Sequence, residues 1–332
     1  MLAYILRRLL WMVPTLLGIT LLLFLVMRLA PGDPATLRYG VAGGGDAMAA
    51  GDIEDAIAKF RARHRLDEPL LAQYAHWLAA VATLDFGEEL HRPNVLIRDE
   101  LLARLAVTVP YALAAVLLSY LVALPLGVLS AVRRGGALDR ASTLLLFLLY
   151  SLPTFWFGLL AILAFGATGL DWLPVVGLHD KDAARLAGWA RWQDLLLHAI
   201  LPVATMTCGS LAYLSRQMRV GMLETIRQDY VRTARAKGLS ETAVVLRHAL
   251  RNALIPVITV FATILPVLIG GSVVVEYLFN IPGMGLYAYE GLQNRDYNVV
   301  MATTTLSAVM TLAGFLLSDL LYSVVDPRIR HE

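Results

Sequence analysis

Between Ile226 and Pro256 the chain reads IRQDYVRTARAKGLSETAVVLRHALRNALIP, a charged segment between two strongly apolar ones. Arg227, Arg232, Arg235, Lys237, Arg247 and Arg251 stand against only Asp229 and Glu241. The pattern predicts two short helices meeting at Gly238. The first runs from about Asp229 to Lys237, with Asp229 as N-cap, because its short side chain can accept a bond from an orphan N–H of the first turn. Gly238 stands where a left-handed residue is wanted just past a helix end. Ser240 is placed to cap a second helix, from Glu241 to about Leu254. Tyr230, Thr233, Ala234 and Lys237 share one face of the first helix, where small residues would let another backbone approach. Two readings stay open: a basic loop that only fixes topology, or a docking element built as helix, glycine elbow and helix.

The surroundings are those of a polytopic membrane protein. Of 332 residues, 58% are hydrophobic and only 16% charged, too apolar for an ordinary soluble domain. The net charge of +2 offers no footing for nucleic acid. The single cysteine, Cys208, excludes an intramolecular disulfide and any multi-cysteine metal site.

Leu9–Met27 is uncharged and bracketed by Arg7, Arg8 and Arg28. It is longer than a signal-peptide core and no small-residue cleavage site follows promptly, so it reads as a first transmembrane helix. Five more uncharged runs follow: Leu105–Val132, Ala141–Leu170, Leu195–Ser215, Asn252–Val275 and Tyr297–Ser318. Each is long enough to cross once and too short to cross twice, which predicts six helices. Pro125, Pro153, Pro202 and Pro266 are expected to kink them. The organisation expected is a first helix over 1–29, an extracytoplasmic segment over 30–104, a five-helix core over 105–325 and a tail over 326–332. The 30–104 segment opens on the APGDP turn and carries GGG at 43–45. Helices are expected in it over Ile53–Arg65 and Leu70–Ala82, with Trp77 suited to an interface.

Charge sets the orientation. With the amino terminus inside, 1–8, 133–140, 216–251 and 326–332 are cytoplasmic and carry 15 Lys+Arg against 6 acids. The outer pieces, 28–104, 171–194 and 276–296, carry 13 against 19. The bias follows the positive-inside rule and places the 216–251 loop and both termini in the cytoplasm.

An energy source is missing from the residues. The lysines, Lys59, Lys181 and Lys237, follow Ala58, Asp180 and Ala236, so none completes the Gly-Lys pair of a phosphate-binding loop. Proton-coupled carriers place ionisable groups deep in the bilayer, but His198, Glu276 and Asp319 all fall near span ends and read as interfacial groups. No HExxH, GxSxG or paired His/Cys set appears. The stretch EYLFNIPGMGLYAYEGLQNRDYNVV, Glu276 to Val300, implies a tight turn or re-entrant bend at IPGMG, and Tyr287, Tyr289 and Tyr297 suit a membrane interface. It reads as a connector, or as an outer gate or external-partner contact using Glu276, Pro282, Gly283, Gly285 and Glu290.

Together these motifs resemble the permease subunit of ABC-type importers, in the dipeptide/oligopeptide/nickel group. ILRRLLWMVPTLLGIT followed by RLAPGDPA, the DYVRTARAKGLSETAVVLRHALRNALIPV loop, EYLFNIPGMGLYAYEGLQNRDY and the final DPRIR carry the likeness across nearly the whole chain. The family's Glu-Ala-Ala-x-x-x-Gly signature matches at Arg232, Thr233, Ala234 and Gly238, without its glutamate. The resemblance implies an all-α, six-helix, type I importer fold, with Tyr230, Arg232, Thr233, Ala234 and Gly238 as the ATPase-coupling element. It also implies a second homologous permease, two cytoplasmic ATPase subunits that carry the ATP and Mg, an external solute-binding protein and a bacterial inner-membrane location, with no cofactor or metal in this chain. The expected cargo is a di- or oligopeptide, with nickel chelate or glutathione as alternatives. A stand-alone proton-coupled carrier and a membrane-embedded enzyme or scaffold are the readings from other classes.

Overall fold

A computed structural model describes residues 2–29, 32–36, 39, 50–92, 94–166, 169–254, 257, 268 and 270–325. Outside these lie the GGG at 43–45, Ala30 and Pro31 of the APGDP turn, Pro256, Pro266, most of the Asn252–Val275 run and the 326–332 tail. The described residues form helices and turns, with one isolated antiparallel bridge between Glu88 and Leu96.

The helices used below are α1 (Leu2–Leu29), α2 (Ala50–Arg63), α3 (Leu70–Ala82), α4 (Ile97–Val132), α5 (Ala137–Ser151), α6 (Thr154–Phe165), α7 (Trp189–Thr225), α8 (Asp229–Ala236), α9 (Val273–Leu278), α10 (Met284–Gln293) and α11 (Tyr297–Val325). Among the described residues, four helices are long and apolar enough to cross a membrane, in α1, α4, α7 and α11. At 1.5 Å per residue, the 36 residues of α4 and 37 of α7 exceed a hydrocarbon core of about 30 Å. Their polar ends, IRDELLAR in α4 and SRQMRVGMLET in α7, therefore project beyond it.

The Ala141–Leu170 run differs from the single kinked span expected of it. It is two helices, α5 and α6, bent by 101°. Pro153 has no N–H to continue α5, and its ring drives Leu152 out of the helical region, to φ −87 and ψ 128. With that pair counted as one span the described residues supply five, and the sixth expected run is the one lying mostly outside them.

The chain groups into two compact units. One comprises 107–286 with the chain from 310 on. Its centre is α7, on which Ala123 and Ala131 of α4, Val231 and Ala234 of α8, and Val244, Val245, Ala249 and Ala253 converge around Leu214, Met218 and Met222. A second cluster joins Tyr111, Ala161 and Leu201 to Val275, Phe279 and Ile281. The other unit comprises 2–106 and 287–309. In it Phe24 of α1, Tyr74 of α3 and Met301 of α11 pack together, with Trp77 stacked on Tyr74 at 6.1 Å. Ala35, Phe60, Leu90 and Tyr297 form its second cluster. Large apolar side chains such as Trp11, Leu121 and Phe147 stay exposed on the long helices, as suits surfaces that meet lipid or another apolar partner.

Candidate functional site

The charged segment folds as an elbow. Its first helix is α8, and Gln228, not Asp229, occupies the N-cap position, without a side-chain cap bond. Asp229 is instead the first helical residue and pairs with Arg232 at 3.3 Å. Gly238 has φ +77 and its N–H donates to the Arg235 carbonyl at 2.9 Å, the closure expected of a left-handed residue past a helix end. Ser240 Oγ accepts from the Ala243 N–H at 3.4 Å. The following run is not uniformly α-helical: Glu241–Ala243 is α, Val244–Ala249 is π-helical, and Leu250–Ala253 is α again.

Burial decides which face of α8 is free. Val231 is 0% and Ala234 4% exposed, both turned into the core around Met218 and Met222. Tyr230, Arg232, Thr233, Lys237 and Gly238 are exposed. Ala234 therefore anchors the helix from beneath, and the outward face is made by its polar neighbours. Two ties span the elbow. Arg235 donates to both Glu241 oxygens, at 2.6 and 3.1 Å, and holds that carboxyl below its ordinary range. Asn252 Nδ2 donates to the Tyr230 hydroxyl at 2.6 Å. Behind the elbow, a Cβ on Gly221 of α7 would stand 2.7 Å from the Ala253 carbonyl oxygen, so the backbones touch there because no side chain intervenes.

A polar knot on the same unit was not legible beforehand. Asp139, buried at the start of α5, receives two bonds from the Arg219 guanidinium, at 2.9 and 3.0 Å, one from the Gly135 N–H at 2.9 Å, and one from the Ser130 hydroxyl. It ties the ends of α4 and α5 to α7. In sequence, Asp139 and Arg219 are merely two loop charges 80 residues apart.

The Glu276–Gln293 stretch differs most from expectation. Glu276 is 4% exposed, so its carboxylate is no surface for an external protein. It accepts from Thr108 Oγ1 at 3.0 Å and from the Leu286 N–H at 2.9 Å, while Thr108 Oγ1 also accepts from the Met284 N–H at 2.7 Å. Burial pushes the carboxyl up and these donors pull it down, burial being the larger effect. A Cβ on Gly283 would lie 2.6 Å from this carboxyl group, and one on Gly285 2.7 Å from the Val273 nitrogen. The glycines of IPGMG thus clear space for a buried acid and the chain around it. Pro282 and Glu290 are half-buried.

In the other unit Tyr287 and Tyr297 are also buried within the protein. Tyr287 donates to Glu89 Oε1 at 2.7 Å, and Arg92 grips both Glu89 oxygens at 2.6 Å. Burial and the Glu89 charge push the Tyr287 hydroxyl well above its ordinary value. Asp296 accepts from the Leu90 N–H at 2.6 Å, and Tyr297 donates to the Gly32 carbonyl at 3.1 Å.

Long apolar helices, a charged helical elbow seated on the longest of them, and loops fixed by buried acids are the features of an integral membrane component. The chain belongs to the family of binding-protein-dependent transport system inner membrane components, whose model matches residues 123–331. The model of that family's N-terminal membrane component matches residues 1–91. Among relatives, it is 40% identical to the oligopeptide transport system permease protein AppB of Bacillus subtilis, over the whole of both chains. It is 36% identical to the dipeptide transport system permease protein DppB of Escherichia coli, again over the whole of both. Among solved structures, an inward-facing form of the MetNI methionine ABC transporter aligns with TM-score 0.52 at 19% identity, over 68% of this chain and 96% of that one. That likeness establishes the fold, the type I importer architecture expected from the sequence.

Proposed function

We propose that the chain is the pore-forming permease subunit of an ATP-driven importer, which moves di- and oligopeptides handed over by an external solute-binding protein. The full-length relatives named as oligopeptide and dipeptide permeases support the substrate class. ATP and Mg belong to two cytoplasmic ATPase subunits, and a second, homologous permease completes the pore.

One observation carries the coupling role: α8 is free on one face and locked on the other. Tyr230, Arg232, Thr233 and Lys237 are open to a partner, while Val231 and Ala234 are buried against α7. A partner pressing on the free face would therefore move α7 with it as a rigid body. ATP switches access only if the ATPase pair grips one permease state more tightly than the other.

The test is reconstitution of the permease pair, ATPases and binding protein in vesicles. Peptide accumulation should need ATP and the loaded binding protein, and should survive a protonophore. Uptake by this chain alone, driven by a proton gradient, would refute the reading. Competition by nickel chelate or glutathione that outdoes dipeptide would retain the machine and replace the cargo.

A further inference from the structure

A cleft of about 260 Å³ opens between α5 and α7 and shares no lining residue with the elbow. The bonds of Arg219 to Asp139 bring the end of α7 to the start of α5, so the two helices line the cleft from polar to apolar in the same direction. Along α5 the lining passes from Thr143 to Leu146, Phe147 and Tyr150, a stretch of two turns or about 11 Å. Along α7 it passes from Arg219 and Arg216 back to Tyr213.

The polar end carries donors that the chain itself does not use. Arg219 engages Asp139 and Ser130 through Nε and Nη2, and its Nη1 has no bond among the described residues. Arg216 is exposed and has neither an ion pair nor a hydrogen bond among them. Ser215 is only 2% exposed, yet its hydroxyl makes no bond of the kind that Thr205 and Thr207 make to the preceding turn of the same helix. A buried polar group without a partner is costly, and this one lines the cleft. Asp139, the acid at this end, already receives bonds on both oxygens. Arg133, Arg134 and Arg140, exposed where α4 gives way to α5, have no ion pair among the described residues either. The far end is the opposite: Phe147 and Tyr150 are 63% and 70% exposed. Arg216 follows the uncharged run Leu195–Ser215, and Arg140 precedes the run Ala141–Leu170. The donors thus stand where hydrocarbon gives way to headgroups, on the side that the charge bias marks as basic.

We propose that this cleft binds one anionic glycerophospholipid of the leaflet on that side. Its phosphate meets Arg216, Arg219 Nη1 and the Ser215 and Thr143 hydroxyls, and an acyl chain lies along Leu146, Phe147 and Tyr150. Basic pockets between membrane helices attract such headgroups. A guanidinium fixed by a carboxylate on one edge is preorganised to offer its remaining N–H groups to a phosphate oxygen, so Asp139 acts as a positioning residue for the site. A zwitterionic lipid would bring an ammonium toward unpaired arginines and binds less well. A peptide fits less well too, because its backbone amides would face walls that are carbon apart from the tyrosine hydroxyls. The site is independent of what the transporter carries.

The test uses the whole transporter assembly in phosphatidylcholine nanodiscs with a trace of photoactivatable phosphatidylglycerol, and maps the label by mass spectrometry. Label should fall on 143–150 or 212–219, displaced by excess phosphatidylglycerol and not by phosphatidylcholine. Arg216→Gln should cut it about tenfold, the effect of one charge-assisted contact. Arg227→Gln, elsewhere on the basic side, should leave it unchanged. Arg216→Gln should also melt with the wild type in phosphatidylcholine alone; if it does not, Phe147→Ser, at the apolar end, decides by the same readout. Equal labelling by the two lipids, or wild-type labelling of Arg216→Gln, overturns the proposal. Displacement by inorganic phosphate or by dipeptide overturns it as well, making the cleft an ion site or part of the cargo path. So does absence of label from the cleft, the result expected if the second permease covers it.

Discussion

Gly238 offers the sharpest test of the elbow, because its replacement changes one thing. Its φ is +77, and no heavy atom lies within 4 Å of where a Cβ would stand. A side chain there costs backbone strain and nothing in packing. For an L-residue in the left-handed region that strain is about 1–2 kcal/mol, least for Asn, which visits the region readily, and most for β-branched Val. Against it stand the surface ties of the elbow. The exposed Arg235–Glu241 pair contributes about 0–1 kcal/mol and the Tyr230–Asn252 bond about 1 kcal/mol. The strain therefore matches what holds the elbow shut. It shifts the closed-to-open ratio roughly 5- to 30-fold while leaving a fold stability of about 5–15 kcal/mol largely intact.

The expected order of ATPase stimulation by loaded binding protein, in the reconstituted assembly, is Gly ≈ Asn > Ala > Val at position 238, with membrane insertion unchanged throughout. Gly135→Ala is the control: its φ is +78 and its surroundings are equally open, so it carries the same strain outside the elbow. Wild-type stimulation by Gly238→Val would refute the docking role. Equal losses at 135 and 238 would show that strain anywhere in the unit suffices.

Three further outcomes follow from buried or paired charges. Arg219→Ala should cost about 3 kcal/mol by leaving the Asp139 carboxylate buried and unpaired, and Asp139→Ala less, because Arg219 is a third exposed and can turn to water; chemical denaturation in nanodiscs measures both, and equal costs would contradict the asymmetry. Tyr287→Phe removes one charge-assisted bond to Glu89 and should cost about 1.5 kcal/mol, the low end of that class because Arg92 remains, read as a fall in Tm. Arg235 lowers the Glu241 carboxyl from 4.5, so its contribution is present above 4.5 and is lost as pH falls through the lower folded value; spin labels placed across the elbow should hold one distance at neutral pH and broaden only in that acid window.

The sequence told where the chain turns better than which way its faces point. Gly238, the Ser240 cap and the Leu70–Ala82 helix stand as expected because each rests on chemistry within a few residues. The inner face of α8 was misjudged for a definite reason. Tyr230 with Thr233 and Val231 with Ala234 both have helical spacing, and spacing alone cannot say which stripe meets the core. The π-helical turn at Val244–Ala249 has no local residue signature either; it lies where that run packs on α7.

The buried acids were misread together. A lone carboxylate near the end of an apolar run looks like a solvated group, which is how Glu276 reads in the sequence, and Asp139 reads as one loop charge among several. Their partners lie 168 and 80 residues away, and the Glu89 partner Tyr287 lies 198 away, beyond any local pattern. One signal was nonetheless present. Gly271, Gly283 and Gly285 surround Glu276, and each would carry its Cβ into that carboxyl group or the adjoining backbone. Glycines crowding a single acid, where a flexible turn needs only one, mark a carboxylate that the chain closes over. Burying it costs several kcal/mol unless donors meet it, and in this loop the Thr108 hydroxyl and the Leu286 N–H do so. The loop is therefore held by the same glycine-rich stretch that reads in the sequence as a tight turn or re-entrant bend, and a transporter built on it must move that region as a body.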